Sequence, residues 1–576
     1  MIFSLFSRSH WHACLQKQTE RQFDIDSLPP AYSAPLSSLE EKIHALSLSQ
    51  LVSDCKAGVI APSEVMLTYG KKTLIAQKLA NCITDIMFDE ALQIPSVVNW
   101  PHAIDPESSL ARDRPLLGVP VSIKDTIDIA GHDSTIGYSR NVFHPAPTSS
   151  AIVRLLQDAG ALVHVKTTAP TGLLGMETVS DIFGRTSNPY NNAYTSGAST
   201  GGGAALLACG GSKIEIGSDL GGSVRIPAHF CGVWSLKGSA GRFPSWGGVS
   251  SVQGLEGVPL VTAPMAGSLA DLEEFWKRVV EAKPWEYDHT CLPIPWKSVD
   301  LQEEGRKLKW GVMLEDGVVP PSPACRRALR VVTAALRKQG HEVVDFSPPD
   351  VWSGLKIGYQ LVFSDGGEQI RSLLSPSETL PKASASILSL LSLPRFIKRI
   401  LAYFSRNSDP LTADALQIMH PKSVKDVRAL NAQKEAYQAA WHEKWTESGL
   451  DFILSVPHPF PAFKHGESEK VNLMTAGFTF LFSMLDYTAG VLPVTFVDKE
   501  IDGLPDGFLA SREYASMNAV AKGAYSVYDV EGMHGLPLGV QVVGRRMEEE
   551  RVMEAMKVVE ACLKREGTVF IGHVKA

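Results

Sequence analysis

Apolar residues follow two periods along this chain, and the alternation between them predicts most of the fold. From Leu46 they recur at helical spacing through Leu51, Val52 and Cys55, then again from Val65 to Leu79. Residues 115–123 read as a turn feeding a short buried strand. A helix over 150–158 leads to a second strand at 162–165. Residues 204–209 are apolar and helix-like, and 214–216 alternate as a strand does. Further on, strands at 309–313 and 341–344 flank a helix near 324–337. A strand over 539–544 then returns to the core before a helix over 548–562. Helix and strand in repeated succession predict an α/β layered fold, and no internal repeat interrupts it.

Residues 1–40, with Pro29-Pro30, Pro35 and several serines ahead of any sustained pattern, read as a loosely attached N-terminal arm. Residues 41–576 then form a single domain. Within it, 381–406 stands apart. Leu390, Leu391, Leu393, Phe396, Ile397, Ile400, Leu401 and Phe404 lie beside Arg395, Lys398, Arg399 and Arg406. This is an amphipathic helical insertion, read first as a hairpin packed on the body and second as a membrane-surface patch. The Gly/Ser-rich stretch over 188–248 has the composition of a linker. Its glycines are interleaved with core-like segments, so it reads instead as a structured site where backbones approach closely.

Composition narrows the function classes. The 576 residues carry 55 Lys plus Arg against 62 Asp plus Glu, a formal net charge of −7, too mild to point to nucleic acid. The apolar fraction of 44% is that of a globular chain. Eight cysteines are scattered without CxxC pairs or nearby histidine clusters, so neither disulfides nor a metal site is expected. No segment reaches the roughly 18 apolar residues that span a bilayer. The apolar start Met1–Phe6 is broken by Arg8, His10 and His12, and the last five residues match no retention or peroxisomal address, so a cytoplasmic location is expected.

Candidate chemistry lies in the glycine-rich stretch. Residues 196–203 lack the Gly-Lys-Ser/Thr ending of a phosphate loop, and no GxGxxG or GxSxG motif fits. Gly217-Ser218-Asp219-Leu220-Gly221-Gly222-Ser223-Val224-Arg225 places a serine after two glycines, where backbone N–H groups can converge on a developing oxyanion. Serine needs a base. Upstream, Val121-Ser122-Ile123-Lys124-Asp125 ends an apolar strand on a lysine, which desolvation would keep neutral.

These blocks resemble the amidase signature family. Its lysine motif is matched by 118–125, its GGSSGG block by Gly197-Ala198-Ser199-Thr200-Gly201-Gly202, and its nucleophile block by 217–225; the lysine and two serines stand 75 and 24 residues apart, as in the family. Residues 183–190 and 535–541 extend the likeness over roughly 45–565. In appearance it is closest to fungal acetamidases and general amidases, with fatty acid amide hydrolases further off. Ala198 and Thr200 depart from the GGSSGG block, as Ser235 and Gly238 depart further on.

The resemblance implies an amidase-signature fold, a large mixed β-sheet covered by helices on both sides. It implies a Ser–cis-Ser–Lys triad of Ser223, Ser199 and Lys124, with an oxyanion hole from Leu220, Gly221, Gly222 and Ser223. Leu173 and Leu174 would lie in an acyl pocket. The implied reaction is hydrolysis of a small-molecule carboxylic amide to acid plus ammonia or amine, through an acyl-enzyme and without metal or cofactor. Asp125 and Asp219 are expected to brace the loops around Lys124 and Ser223, with Arg225 paired to an acid; Ser196 and Ser218 read as loop hydroxyls. Two alternatives stay open: a hydrolase or acyl transferase for lipid or specialised-metabolite amides, and an inactive binding protein on the same scaffold. A homodimer is also left open.

Overall fold

In a computed structural model the protein is described over residues 2–98, 100, 113–301, 306–572 and 574. Met1, His573, Lys575 and Ala576, which enter the reading of the termini, lie outside them. One mixed sheet of eleven strands forms the core. In chain order they are β1 (Ile83–Ile86), β2 (Pro120–Lys124), β3 (Leu162–Thr167), β4 (Ile214–Asp219), β5 (Trp234–Lys237), β6 (Val261–Ala266), β7 (Lys309–Val312), β8 (Glu342–Asp345), β9 (Phe452–Ser455), β10 (Ala489–Phe496) and β11 (Pro537–Val543). Across the sheet the order is β1-β3-β2-β4-β6-β5-β10-β11-β9-β7-β8. Strand β2 runs parallel to both β3 and β4, and β7 to both β8 and β9; the other pairs are antiparallel.

The central strands are buried along their whole length. Parallel strands covered on both faces need apolar residues throughout, which is why Val121, Ile123, Ile214 and Ile216 make the polar Ser122, Lys124 and Glu215 between them conspicuous. Helices close the faces: α1 (Ile2–Asp26), α2 (Pro62–Ala80), α3 (Ala151–Asp158), α4 (Gly201–Ala208), α5 (Arg225–Cys231), α6 (Leu269–Glu281), α7 (Pro323–Lys338), α8 (Val351–Val362), α9 (Lys382–Ser392), α10 (Arg395–Ser405), α11 (Pro410–Ile418), α12 (Val424–Ser448), α13 (Gly477–Met484) and α14 (Glu549–Arg565). Helix α3 starts where its cap predicts, with Ser150 accepting the Val153 N–H. All eight cysteines are free and buried.

The first 40 residues correct the sequence reading. Helix α1 is docked on the body: Gln18 donates to Ile182 O at 2.6 Å, Arg21 to Ile83 O at 2.8 Å, and Lys17 pairs with Asp133 at 3.1 Å. Buried His10 reaches Ser139 Oγ at 2.8 Å. These polar contacts are long-range in sequence, so the serine- and proline-rich composition gives no sign of them.

Residues 381–406 form the pair α9 and α10, joined at Pro394. Leu388, Leu391 and Ala402 turn inward, and buried Lys398 donates to Met419 O at 2.6 Å. The opposite side of α10 is open, with Phe396 65% and Phe404 75% exposed beside Ile400, Leu401 and Tyr403. Among the described residues, no helix is long and apolar enough to cross a membrane.

Candidate active site

Strands β2 and β4 are parallel neighbours, with Ile123 facing Ile216. Their carboxyl ends therefore lie side by side, the usual ligand edge of a parallel sheet. Lys124 closes β2, and Ser218-Asp219 closes β4. Lys124 is wholly buried, and its Nζ lies 2.6 Å from Ser199 Oγ and 3.0 Å from Ser218 Oγ. Burial drives the ammonium down from 10.5 to about 7, against the pull of Asp219, Glu215 and Asp125. A neutral amine is thus available near neutral pH.

Ser199 comes from the loop ahead of α4. Gly197 takes a left-handed backbone (φ 84°), and a Cβ there would meet Pro227 Cα at 3.0 Å, so the position suits glycine on both counts. The Ala198–Ser199 peptide is cis, the bond the family resemblance implies. The Thr200 N–H donates to Ser223 O at 3.0 Å, tying this loop to the one that carries Ser223.

The Ser223 turn is organised by one buried ion pair. Asp219 accepts from the Gly222 N–H at 2.8 Å and the Val224 N–H at 3.2 Å. Its carboxylate also takes Arg225 Nε at 3.0 Å and a second guanidinium nitrogen at 2.8 Å. Arg225 is completed by Thr479 O, Gln541 Oε1 and Ser483 Oγ, all within 2.9 Å. Burial opposes charge on Asp219, but the guanidinium outweighs it and holds the carboxyl down at about 2. Asp219 and Arg225 thus take the bracing and pairing parts expected of them, and Asp125 accepts from Thr135 Oγ1 at 2.6 Å.

Gly222, named among the oxyanion donors, spends its N–H on Asp219. The N–H groups of Leu220, Gly221 and Ser223 have no intramolecular acceptor among the described residues. The half-buried Ser223 hydroxyl is likewise unpartnered, and no hydrogen bond joins it to Ser199. Gly222 itself is required: a Cβ would stand 2.3 Å from Thr479 Oγ1, and its φ is 128°.

These groups share one cavity of about 800 Å³, its open mouth included, lined by Ser199, Ser218, Leu220, Gly221, Gly222 and Ser223 together with Leu173 and Leu174. The rest of its wall is chiefly apolar, supplied by Ile226, Val252, Leu260, Tyr359, Val362, Phe363, Leu473 and Phe480. Tyr359 and Phe480 stack at 4.9 Å. Sequence reasoning missed this aromatic side, contributed by α8 and α13 more than 130 residues downstream. It also read Ser218 as a loop hydroxyl, whereas the structure sets it against Lys124. The strand position one step from the Asp219 turn was the available signal. The Ser196 hydroxyl donates to Thr186 O at 3.5 Å, and no histidine is among the residues that line the cavity.

A family model described as Amidase matches residues 64–553. The chain is 33% identical over 551 residues to Amidase 1 of Gibberella moniliformis, covering 94% of this chain and 98% of that protein. It is 30% identical over 568 residues to an Acetamidase of Emericella nidulans, covering 94% of this chain and 95% of the other. A solved Fatty acid amide hydrolase superposes with a TM-score of 0.81 at 25% identity, over 97% of this chain and 96% of that one.

Proposed function

The chain belongs to the amidase signature family of hydrolases, and from that premise we propose that it cleaves a carboxylic amide through an acyl-enzyme on Ser223. The observation that carries the proposal is Lys124 Nζ at 2.6 Å from Ser199 Oγ, in a buried site on the wall of the cavity that Ser223 also lines. Neutral Lys124 takes the Ser199 proton while Ser199 takes the Ser223 proton, and Ser223 Oγ bonds to the carbonyl carbon. The N–H groups of Leu220, Gly221 and Ser223 receive the oxyanion. As the C–N bond breaks, the proton returns through Ser199 to the leaving amine. Water then attacks the ester, its proton passing along the same relay, and releases the acid. The apolar wall favours a hydrophobic acyl group over a charged one.

The test is intact-protein mass spectrometry with a fluorophosphonate, beside turnover of simple amides. Wild type should gain one adduct that is absent in Ser223→Ala and forms far more slowly in Ser199→Ala and Lys124→Ala. A folded wild type with neither adduct nor turnover would favour a binding protein on this scaffold.

A second reading, lipid-derived amides met at a membrane surface, draws on α10. Its exposed Phe396, Ile400 and Phe404 adjoin Arg395, Arg399 and Arg406, the apolar-plus-basic composition that suits an anionic bilayer. Pro381, just ahead of α9, lies 3.4 Å from where a Cβ on the cavity residue Gly175 would sit. Sedimentation with phosphatidylserine vesicles, lost in Phe396→Asp/Phe404→Asp, would support it; equal behaviour of both proteins would remove it.

A further inference from the structure

One buried carboxyl beside the site has no part in that relay. Glu215 is the second residue of β4 and has no exposed surface. Its Oε1 accepts from Thr167 Oγ1 at 2.7 Å, while Oε2 has no hydrogen bond. Ser122, opposite in register, is near enough to favour the charged carboxylate, but its hydroxyl donates to Ile214 O at 3.2 Å. The carboxyl sits in a slot that only glycine leaves open: a Cβ on Gly203 would fall 2.2 Å from Glu215 Cδ. A half-satisfied acid in a tight core is costly, and an apolar residue would serve β4 better as structure.

Register places this acid with Lys124. Thr167 faces Lys124 across β3 and β2, and Glu215 faces Ser122, two residues before Lys124. With side chains alternating along each strand, Ser122, Lys124, Thr167 and Glu215 share one face of the sheet. Thr167 thus touches the carboxyl from the position beside the lysine.

We propose that Glu215 is a positioning residue for amide hydrolysis, its carboxylate stabilising the protonated Lys124 that forms when Ser199 gives up its proton. The inference rests on Lys124 being the base, as proposed above. Asp219 and Asp125 also pull on Lys124, Asp219 more strongly than Glu215, but each of the two has a cationic neighbour of its own. Asp219 is held by Arg225, with Lys237 also near it. Asp125 is bonded to Thr135 and faces Lys166. The Cys82 thiol, buried nearby, is pushed well above its ordinary range and stays neutral. Burial lifts Glu215 to about 7 and lowers Lys124 to about 7, and each charge draws the other part of the way back.

The sign follows. An ionised Glu215 favours lysinium, which raises the basicity of Lys124 in the transition state but also keeps it protonated to higher pH. Glu215→Gln keeps the shape and the Thr167 contact and removes the charge. The acid limb of kcat/KM, measured with the uncharged hexanoyl p-nitroanilide, should move toward acid by about one unit or more, with a lower plateau. Thr167→Val, which removes the donor supporting the carboxylate, should move the limb the same way by less. Damage to packing alone would lower the plateau and leave the limb in place. Limbs coincident with wild type, in variants with wild-type melting, would overturn the proposal. If Glu215→Gln does not fold, an unmoved limb in Thr167→Val overturns it. Absence of turnover in wild type would instead remove Lys124 as base, and this inference with it.

Discussion

Replacing Arg225 tests the architecture of the nucleophile turn most directly. Arg225 and Asp219 are both fully buried, so Arg225→Met keeps much of the volume yet strands a carboxylate in the core. Asp219 would still accept from the Gly222 and Val224 N–H groups, which is too little to replace a bidentate guanidinium. Breaking such a pair costs about 3–5 kcal/mol. For a chain of 576 residues, that lowers the melting temperature by about 2–4 °C. Acid sensitivity adds a signature. A carboxyl held at about 2 against an ordinary 3.8 contributes roughly 2 kcal/mol, present above the ordinary value and lost as pH falls through the folded one. Without Arg225, burial lifts the Asp219 carboxyl instead, so the folded variant takes up a proton there and its deficit against wild type narrows as pH falls.

A double-mutant cycle isolates the charge from the lost packing. Asp219→Asn alone leaves Arg225 unpaired, whereas Arg225→Met/Asp219→Asn leaves no stranded charge. The double variant should therefore cost less than the two singles together by about 1–3 kcal/mol. Calorimetry would measure the three melting shifts, and amide turnover would report the turn itself. Activity should fall in Arg225→Met beyond the effect of melting, because the Gly222 peptide is anchored through Asp219. Strict additivity, or an Arg225→Met protein that melts with wild type, would refute the reasoning.

Four further outcomes follow from the same geometry. Because burial lowers Lys124 to about 7, kcat/KM should drop about tenfold per unit below that pH as the amine protonates; a flat profile across neutrality would exclude it as the base. Ser218→Ala removes a hydroxyl 3.0 Å from Lys124 Nζ, and kcat should fall about tenfold or more with KM little changed; an unchanged kcat would make that bond incidental. Gly203→Ala drives a Cβ against Glu215 and should cost about 1–3 kcal/mol, seen as lower melting; wild-type melting would mean the slot relaxes. Phe480→Ala opens the aromatic wall of the cavity, so kcat/KM should shift toward bulkier acyl groups, and an unaltered substrate ranking would place the acyl group elsewhere.

The parts legible in the sequence were those whose signal is local. Lys124, Ser199 and Ser223 stand in short motifs at fixed separations, and β2, β3 and β4 announce themselves by apolar runs bounded by turns. The aromatic wall was not legible for a physical reason. Helix α13 reads Gly-Phe-Thr-Phe-Leu-Phe-Ser-Met and is buried on every side, so it shows no amphipathic period to mark it as a helix or to orient Phe480. Docking of α1 was hidden differently. It rests on His10, Lys17, Gln18 and Arg21, polar residues whose partners lie 62 to 164 residues away in sequence. The use of the Gly222 N–H was hidden too, because a glycine that lets the turn form and a glycine that donates to substrate look alike in a motif.

Strand β4 shows how one element can hold two buried acids shifted in opposite directions. Glu215 and Asp219 lie on the same side, separated by Gly217, whose absent side chain admits Thr200 and Val224. Both are wholly buried, and desolvation lifts both. The difference is the partner. Asp219 meets a guanidinium that cannot lose its proton, so it stays charged and can pin the backbone of the nucleophile turn. Glu215 meets a threonine hydroxyl and, one step away, an amine that can itself gain or lose a proton. The permanent ion pair therefore fixes geometry, while the titratable pair responds as a proton arrives. The proposed relay draws on both: burial keeps Lys124 neutral at rest, and the Glu215 carboxylate is the group proposed to stabilise the lysinium that the relay would form.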